Sequence, residues 1–463
     1  MNITEPIDRA ALFRPDHPAI VQANNVVIPY AQLLRLVDSA AYRLVKSGMR
    51  PRDVAALDIA GPDEAVGIII ALALARIGVA SAAPSIADAD CHHRFGSRDL
   101  PLDASWLRDP GRTAPPFAAY QDGGAILRVF ASSGTTGLPK HIPVSHEQYR
   151  VRMEGYGFAL SPAAATRIIA TGFGITWGFS ALMRTLWGGG TIVLSNPARF
   201  AAAAAAHRVS CLTCSPVSLA AILSALPIGI HLPKLDTIEV SGAALPAVLA
   251  AAAQRLCRRI DVMVGASETG AVAAATLGTP GTTLPGAAGI LLPFIEARTV
   301  DEDGHVLPPG DEGALQYRGP GIALCYLDSP FPLDAEGWFS TTDYGAIHSG
   351  SLLCLLGRTT DVINCGGVKT LPAPIEAVIA RFAGIADCAV FPVPGVDGLD
   401  QIWAAVTSPG PVDLAALAAA TAELGPLRPV AFLQPAVLPR NANGKVLRGQ
   451  LRQLALARLG RSG

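Results

Sequence analysis

Short apolar runs that suit β-strands alternate along this chain with alanine- and leucine-rich stretches that suit helices. Thr191–Leu194 and Thr237–Val240 are rich in β-branched residues, whereas Phe200–His207 and Leu245–Leu256 have the composition of helices. Strands and helices that alternate in this way pack as layers, with the helices covering the sheets. The chain has 463 residues, of which 50% are hydrophobic, so it can bury one large core and a smaller one. We therefore predict an α/β fold.

The texture of the sequence changes at Asp301. Turn signals such as Asp303-Gly304 separate strand-like runs, and Leu315–Arg318 alternates apolar and polar residues. Another α/β unit of about a hundred residues, enough for a small lid, follows Gly357. We predict a large N-terminal domain, residues 1–357, made of layered α/β subdomains and a β-rich part, and a small mobile α+β domain, residues 358–463.

The charges of the chain are nearly balanced. With 36 basic and 37 acidic residues, the formal net charge is −1, which offers no field to attract nucleic acid. The most apolar stretch, Ala65–Ala83, contains Arg76 and Gly78, so it predicts a buried helix running into a buried strand and no membrane span. Met1–Arg14 has no apolar core of a signal peptide, and we expect a cytoplasmic protein.

The eight cysteines are scattered, as is typical of a reducing compartment. Cys211 and Cys214 alone have the C-x-x-C spacing, and they lie in the apolar stretch Val209–Val217. We interpret them as structural thiols on a buried strand, because no second pair accompanies them.

The string A-S-S-G-T-T-G-L-P-K, Ala131–Lys140, is the sharpest chemical signal. It follows the mostly apolar strand Ala125–Phe130 and combines glycines, hydroxyl residues and a lysine, which offer backbone N–H groups, hydroxyl donors and a cation to phosphate oxygens. The glycines are too close for the spacing G-x-x-x-x-G-K-S/T, and Pro139 disfavours a helix start at the lysine. The string therefore predicts a phosphate loop of another kind.

In this loop the sequence resembles the superfamily of acyl- and aryl-CoA synthetases, peptide-synthetase adenylation domains and luciferases. The resemblance covers nearly the whole chain and implies ATP-dependent formation of an acyl-adenylate. It assigns phosphate contacts to Ser132, Ser133, Gly134, Thr135, Thr136, Gly137 and Lys140.

Two segments downstream resemble further nucleotide-binding elements of the superfamily. Ser241–Pro246 is similar to its adenine-side segment, and Gly265–Thr269 to its Y/G-x-T/S-E element. The resemblance implies that Glu268 holds Mg²⁺ and that Ser267 contacts the α-phosphate, roles that suit a hard carboxylate ligand and a hydroxyl donor. It adds these nucleotide contacts: Gly242, Ala243, Ala244, Gly265 and Ala266.

Two later segments resemble the elements of the superfamily that contact the ribose and the hinge. In W-F-S-T-T-D, Asp343 corresponds to the aspartate that accepts hydrogen bonds from the ribose, but Thr342 replaces the usual glycine and would carry a cost at positive φ. In G-R-T-T-D, Arg358 is expected near ribose and phosphate. Thr360 replaces the usual acidic hinge residue, and Asp361 is an alternative pivot.

Pro439–Val446 resembles the segment that carries the catalytic lysine of the superfamily, which is Lys445 here. A lysine at this place would stabilise the negative charge that grows as the substrate carboxylate attacks the α-phosphorus. Gly366–Lys369 resembles the loop of CoA-ligating members that faces the thiol.

Gly172–Phe179 lies where the superfamily begins to line its acid-binding pocket. Gly174 stands where amino-acid-activating members have an aspartate, and Ile175 replaces a common histidine or aromatic residue. We therefore predict a small apolar carboxylic acid as substrate, ATP and Mg²⁺ as cofactors, and CoA as acceptor. Two alternatives stay open: loading of the phosphopantetheine arm of a carrier protein, and a nucleotide-binding member that has lost the second step.

Overall fold

The computed structural model describes residues 1–59, 63–97, 100–109, 117–132, 140–157, 160, 164–227, 230, 232–278, 286–365, 368–395, 400–440 and 446–460. The chain divides into two compact units. Unit 1 comprises Met1–Thr282, Ala288–Glu296 and Tyr317–Phe339. Unit 2 comprises Thr283–Ala287, Ala297–Gln316 and Ser340–Gly463.

The α-helices are α1 (Glu5–Phe13), α2 (Tyr30–Lys46), α3 (Glu64–Arg76), α4 (His146–Gly157), α5 (Thr176–Trp187), α6 (Phe200–Ala206), α7 (Pro216–Ala225), α8 (Ala247–Ala253), α9 (Pro372–Ile379), α10 (Leu414–Ala420) and α11 (Arg448–Arg458). The strands of the first half are β1 (Pro18–Val21), β2 (Val27–Pro29), β3 (Val54–Ala56), β4 (Ala80–Ala82), β5 (His93–Arg94), β6 (Ile126–Ser132), β7 (Lys140–Ser145), β8 (Thr166–Ile169), β9 (Thr191–Val193), β10 (Cys211–Cys214) and β11 (Leu235–Ser241). The later strands are β12 (Cys257–Ala266), β13 (Gly270–Thr276), β14 (Ala287–Leu291), β15 (Glu296–Val300), β16 (Gly313–Arg318), β17 (Phe339–His348), β18 (Leu352–Arg358), β19 (Ile363–Cys365), β20 (Val368–Thr370), β21 (Asp387–Pro394), β22 (Asp400–Thr407) and β23 (Ala431–Leu433).

Unit 1 contains two sheets. One has the order β5-β3-β4-β6-β7, with all neighbours parallel except β6 and β7. The other is the larger sheet, whose strands in this unit run β14-β13-β12-β11-β10-β8-β9-β1-β2 and are parallel from β12 to β1. Parallel neighbours need crossover connections, which the intervening helices supply. The α/β fold expected from the alternating sequence is thus confirmed.

The apolar stretch Ala65–Ala83 forms the buried helix α3 and the buried strand β4, as the sequence predicted. Nearly every residue of α3 is buried, which explains why the helix is apolar on all sides. Arg76 ends this helix with its charge compensated, since it pairs with Asp38 at 3.0 Å and also with Asp8. Among the described residues, no helix is long and apolar enough to cross a membrane.

A buried charge cluster joins three elements of the larger sheet and its helix cover. Glu239 of β11 pairs with Arg167 of β8, and with Arg184 of α5 at 2.6 Å. All three side chains are at most 5% exposed. Burial alone would raise the pKa of Glu239, but the two guanidinium groups outweigh it and lower this pKa to about 2.

The C-x-x-C pair lies on the fully buried strand β10 in unit 1, so the prediction of two thiols on a buried strand is confirmed. Burial raises the pKa of the Cys214 thiol well above its usual value. The thiol therefore stays protonated, which makes it a poor nucleophile and metal ligand.

Unit 2 is rich in strands, as the change of texture at Asp301 indicated. Strands β15, β16, β17 and β18 follow one another in one sheet, and β16 buries alternate residues. Strands β19 and β20 form a hairpin, and β21, β22 and β23 form a three-stranded sheet. Helices α9 and α11 accompany this second sheet, which gives the α+β character expected for the C-terminal part.

Candidate active site

Glu268 lies in the tight turn between the antiparallel strands β12 and β13. The turn closes at Gly270, whose φ of +68° is in the left-handed region. A Cβ atom on this glycine would meet the Cδ of Arg152 at 2.9 Å and the hydroxyl of Tyr156 at 2.9 Å. Only glycine fits such a position, so the sequence G-A-S-E-T-G fixes where the glutamate emerges.

Arg152 of helix α4 forms hydrogen bonds with the backbone of this turn. Its guanidinium donates to the backbone oxygens of Glu268 at 2.8 Å, Ser267 at 3.3 Å and Gly321 at 2.7 Å. The side chain is buried, and burial lowers its pKa below the usual value of arginine, although it stays charged near neutral pH. These bonds place the backbone of both predicted site residues.

Tyr326 links the turn to the phosphate-loop lysine. Its hydroxyl donates a hydrogen bond of 2.9 Å to Oε1 of Glu268, and the Nζ of Lys140 lies 4.6 Å from the centre of its ring. Burial, followed by the neighbouring Glu268 carboxylate, raises the pKa of the tyrosine, so the hydroxyl stays a donor. Lys140 and Glu268 thus both contact Tyr326, although they are 128 positions apart in the sequence.

The two residues that follow Tyr326 also form hydrogen bonds with the start of β7. The backbone N–H of Leu327 donates to the oxygen of His141 at 2.9 Å. Asp328 accepts from the backbone N–H of His141 at 3.2 Å and contacts its ring Nδ1 at 2.8 Å. The residue that follows the phosphate-loop lysine is therefore fixed through both its backbone and its side chain.

The predicted adenine-side segment and the glutamate turn lie side by side. Strands β11 and β12 are parallel, with Ser241 opposite Met263, so both segments leave the same edge of the sheet. Gly242 has a φ of +95°, and Gly242, Ala243 and Ala244 are exposed, as are Gly265 and Ala266. Ligands of open α/β sheets commonly bind at the carboxyl ends of the strands.

The segment predicted to begin the acid pocket is tied to the same turn. Thr176 donates a hydrogen bond of 3.0 Å from its hydroxyl to the hydroxyl of Ser267. Phe173 and Phe179 are core residues, 1% and 2% exposed, whereas Ile175 is 44% exposed. Of these hydrophobic residues, only Ile175 is open to an incoming acid.

Arg128 of β6 supports this segment from inside the domain. One of its Nη atoms donates to the backbone oxygen of Gly174 at 3.2 Å, and the other to the hydroxyl of Ser81 at 3.0 Å. The guanidinium also lies 5.2 Å from the ring of Phe179. Burial lowers the pKa of Arg128 to about 10.

Part of the predicted site lies outside the described residues. Ser133, Gly134, Thr135, Thr136, Gly137 and the catalytic lysine candidate Lys445 belong there, and so do the two glycines of the thiol-facing loop. Ser132 and Lys140, which bound the phosphate loop, lie directly opposite each other in the β6–β7 ladder. The ladder therefore holds the two ends of the loop together.

In unit 2, Asp343 of β17 lies opposite Arg358 of β18 in an antiparallel ladder, so the two residues predicted to contact the ribose are neighbours. The backbone N–H of Asp343 donates to the hydroxyl of Thr341 at 3.0 Å. Thr342 lies within the extended strand β17 and is not among the residues with positive φ. The cost expected for a threonine in place of glycine therefore does not arise.

The segment that carries Lys445 is anchored at both ends within unit 2. Arg440 and Val446 form an antiparallel bridge, and the N–H of Leu447 donates to the oxygen of Pro439 at 2.8 Å. At the start of α11, Arg448 pairs with Glu376 of α9 at 2.8 Å and with Asp361, the alternative pivot, at 3.5 Å.

Sequence reasoning missed four residues that position the site: Tyr326, Arg152, Arg128 and His141. Arg128 interrupts the apolar run I-L-R-V-F, and Arg152 occupies a position of α4 that is buried. A charged residue in an apolar pattern is a signal that could have found Arg128. Tyr326 offers no such signal, because an apolar stretch tolerates a buried tyrosine.

Comparisons with known proteins found a family model and several relatives that are similar to this chain. The family model described as AMP-binding enzyme matches residues 98–327. A CoA ligase-like protein of Arabidopsis thaliana, 4-coumarate–CoA ligase-like 2, is 28% identical over 375 residues, which are 76% of this chain and 65% of that protein, less than two thirds of its length. A CoA ligase of Mycobacterium tuberculosis that is named for a bicyclic propanoyl substrate is 29% identical over 97% of this chain and 89% of its own.

Solved structures share the fold. ATP-bound MatB from Rhodopseudomonas palustris superposes with a TM-score of 0.83 at 21% identity, covering 98% of this chain and 99% of that one. O-succinylbenzoate CoA synthetase from Bacillus subtilis, in complex with AMP, gives 0.81 at 21% identity, covering 96% of this chain and 98% of that one. By these matches the chain is similar to adenylate-forming AMP-binding enzymes, and it shares their fold.

Proposed function

We propose that the chain activates an apolar carboxylic acid with ATP and then transfers the acyl group to the thiol of CoA. The observation that carries the proposal is the position of Tyr326, which contacts both the phosphate-loop lysine and the glutamate expected to ligate a metal ion. A cation and a carboxylate held near each other suit the binding of a metal–triphosphate. The names of the relatives, which are CoA ligases, support the acceptor.

The residues present suit Mg²⁺. A carboxylate offers about four acceptor positions, so Glu268 can accept the hydrogen bond of Tyr326 and still ligate a metal ion. Bound there, Mg²⁺ would neutralise phosphate charge and favour departure of pyrophosphate.

The chain's own residues supply the remaining steps. Lys140 and the phosphate loop bind the β- and γ-phosphates, Ser267 donates to the α-phosphate, and Asp343 accepts from the ribose. The substrate carboxylate attacks the α-phosphorus, the bond to pyrophosphate breaks, and Lys445 stabilises the charge that develops. The thiolate of CoA then attacks the carbonyl carbon of the mixed anhydride, and AMP leaves with the bonding pair.

The acid is apolar in this proposal because of the surroundings of the pocket segment. Ile175 is exposed there, and Gly174 brings no carboxylate that could pair with an ammonium group. An amino acid would leave its charged ammonium without a counter-ion from this position, which is costly in a partly buried site.

The test is pyrophosphate release across a panel of aryl, branched and fatty acids, with and without CoA, followed by mass spectrometry of the product. We expect pyrophosphate to depend on an apolar acid and acyl-CoA to form when CoA is present. If the acyl group is transferred only to a holo carrier protein, the acceptor is the phosphopantetheine arm of that protein and not CoA. Adenylate without any transfer would point to the loss of the second step, and no pyrophosphate with any acid would reject the proposal.

A further inference from the structure

Three side chains of unit 1 form a hydrogen-bonded chain, and none of them takes a chemical step in the proposed acid activation. Ser85 lies in the turn after β4, His141 in β7 and Asp328 in the segment after Tyr326. The hydroxyl of Ser85 is 3.2 Å from Nε2 of His141, and Nδ1 of the same ring is 2.8 Å from Oδ2 of Asp328. A hydroxyl, an imidazole and a carboxylate therefore follow one another in the order found in serine hydrolases.

The contacts of Asp328 set the proton arrangement of the imidazole. A carboxylate beside Nδ1 accepts a hydrogen bond from the N–H of this nitrogen, so Nε2 presents its lone pair to the hydroxyl of Ser85. The same carboxylate accepts from the backbone N–H of His141 at 3.2 Å, which fixes it against the ring. His141 is thus oriented as a general base toward a serine oxygen.

The serine is both accessible and held in place. Ser85 is exposed, whereas the side chain of His141 is only 9% exposed. Arg94 donates to the backbone oxygens on either side of the serine, that of Pro84 at 2.9 Å and that of Ile86 at 3.1 Å. A fixed turn that presents a hydroxyl to solvent and to a buried base suits attack on a molecule arriving from solution.

We propose that Ser85, His141 and Asp328 form a second, hydrolytic site for activated acyl esters and thioesters. The oxygen of Ser85 attacks the carbonyl carbon while its proton moves to Nε2 of His141. The bond to the alcohol or thiol breaks, and the leaving group takes this proton. Water then attacks the acyl-serine ester with His141 as base, which releases the acid and restores the hydroxyl.

The test labels the whole 463-residue chain with a fluorophosphonate in the absence of ATP. The serine oxygen displaces fluoride from phosphorus, and the adduct is located by peptide mass spectrometry. We expect one adduct per chain, on Ser85, and the loss of it in Ser85→Ala but not in the matched control Ser224→Ala, an exposed serine of α7. Since general-base assistance is worth roughly 100-fold or more, His141→Gln should slow labelling by about that factor.

A second measurement follows the complete hydrolytic cycle, from acylation of the serine to release of the acid. Hydrolysis of p-nitrophenyl acetate should be faster with the wild-type chain than with Ser85→Ala, and the serine should be transiently acetylated. A melting curve of each variant checks that it is folded. Because Ser85 is exposed, Ser85→Ala should have the same melting temperature as the wild type. Absence of an adduct on wild-type Ser85, or labelling that is unaffected by His141→Gln, would overturn the proposal. The proposal does not depend on acid activation, since neither measurement involves ATP or CoA.

Discussion

The hydroxyl of Tyr326 donates to Oε1 of Glu268 at 2.9 Å, while the ring of the same tyrosine lies 4.6 Å from the Nζ of Lys140. One side chain therefore orients the expected metal ligand through its polar end and contacts the phosphate-loop cation through its face. This arrangement makes the tyrosine a positioning residue for both groups.

Tyr326→Phe should raise the Mg²⁺ concentration needed for half-maximal pyrophosphate release by about tenfold, since a hydrogen bond to a charged group contributes roughly 1.5–3 kcal/mol and this one is partly exposed. The ring over Lys140 remains in this variant, so the apparent affinity for ATP at saturating Mg²⁺ should change less. Tyr42→Phe, a partly exposed tyrosine packed on Phe117, is the control. Equal Mg²⁺ dependence of Tyr326→Phe and wild type would show that the hydrogen bond has no part in metal binding.

Glu268→Gln should weaken Mg²⁺-dependent adenylation by about 10- to 100-fold, because the amide keeps the size of the side chain and removes its charge. The measurement is pyrophosphate release over a Mg²⁺ titration, with Glu154→Gln on the exposed face of α4 as control. In a double-mutant cycle, Tyr326→Phe should add little to Glu268→Gln, since the tyrosine acts through this carboxylate. Additive effects of the two substitutions would show that Tyr326 and Glu268 act independently.

The buried cluster around Glu239 should make stability depend on acid. The pKa of Glu239 is lowered to about 2 in the folded state, below the value of about 4.3 for an unfolded glutamate. The contribution of Glu239 to the free energy of unfolding is therefore fully present above the unfolded pKa, and it is lost as the pH falls through the folded pKa. Glu239→Gln should cost about 3–5 kcal/mol at neutral pH, because it leaves Arg167 and Arg184 buried without their counter-charge.

Urea denaturation at several pH values measures this effect. Asp236→Asn is the matched control, because Asp236 pairs with Arg258 at 3.6 Å while both side chains are more than 70% exposed. Such exposed pairs contribute little, so we expect a change below about 0.5 kcal/mol. A loss in Glu239→Gln no larger than in this control would mean that the cluster does not stabilise the fold.

Gly174→Asp should let the enzyme accept an amino acid. A Cβ at this position would meet only Cγ2 of Ile59, at 3.8 Å, so there is room for a side chain. In the wild type we expect an α-amino acid to be a poor substrate beside its deaminated analogue, and the aspartate should narrow that difference. Gly174→Asn has the same size without the charge and should not narrow it. Comparable pyrophosphate exchange with both compounds in the wild type would contradict the prediction.

Lys445→Ala should cripple adenylate formation and largely spare thioester formation from a chemically prepared acyl-adenylate, because the lysine is expected to act on the charge at the α-phosphate. Single-turnover kinetics of each half-reaction measures the two effects, and Lys46→Ala at the exposed end of α2 is the control. If both half-reactions slow equally, the lysine has a structural part instead.

The sequence by itself determined the fold class, the buried helix α3, the buried C-x-x-C strand and the resemblance to adenylate-forming enzymes, because these depend on local composition and on contiguous strings such as S-S-G-T-T-G-L-P-K. The resemblance of G-A-S-E-T to the Y/G-x-T/S-E element also singled out Glu268, which the structure places in a turn closed by Gly270. The predicted roles of Lys445 and of the phosphate-loop interior lie outside the described residues and stay predictions.

Only the tertiary structure decided which distant residues meet. Tyr326 contacts Glu268 and Lys140, and Ser85 contacts His141, across sequence separations of 58, 186 and 56 positions. These contacts join the start of β7 to the turn after β4 and to the segment between β16 and β17, and they join that segment to the turn between β12 and β13. No local pattern encodes them, because a tyrosine or a histidine fits many environments equally well. Local sequence determines the secondary structure and the motif of each segment, whereas the packing of whole sheets decides which segments become neighbours.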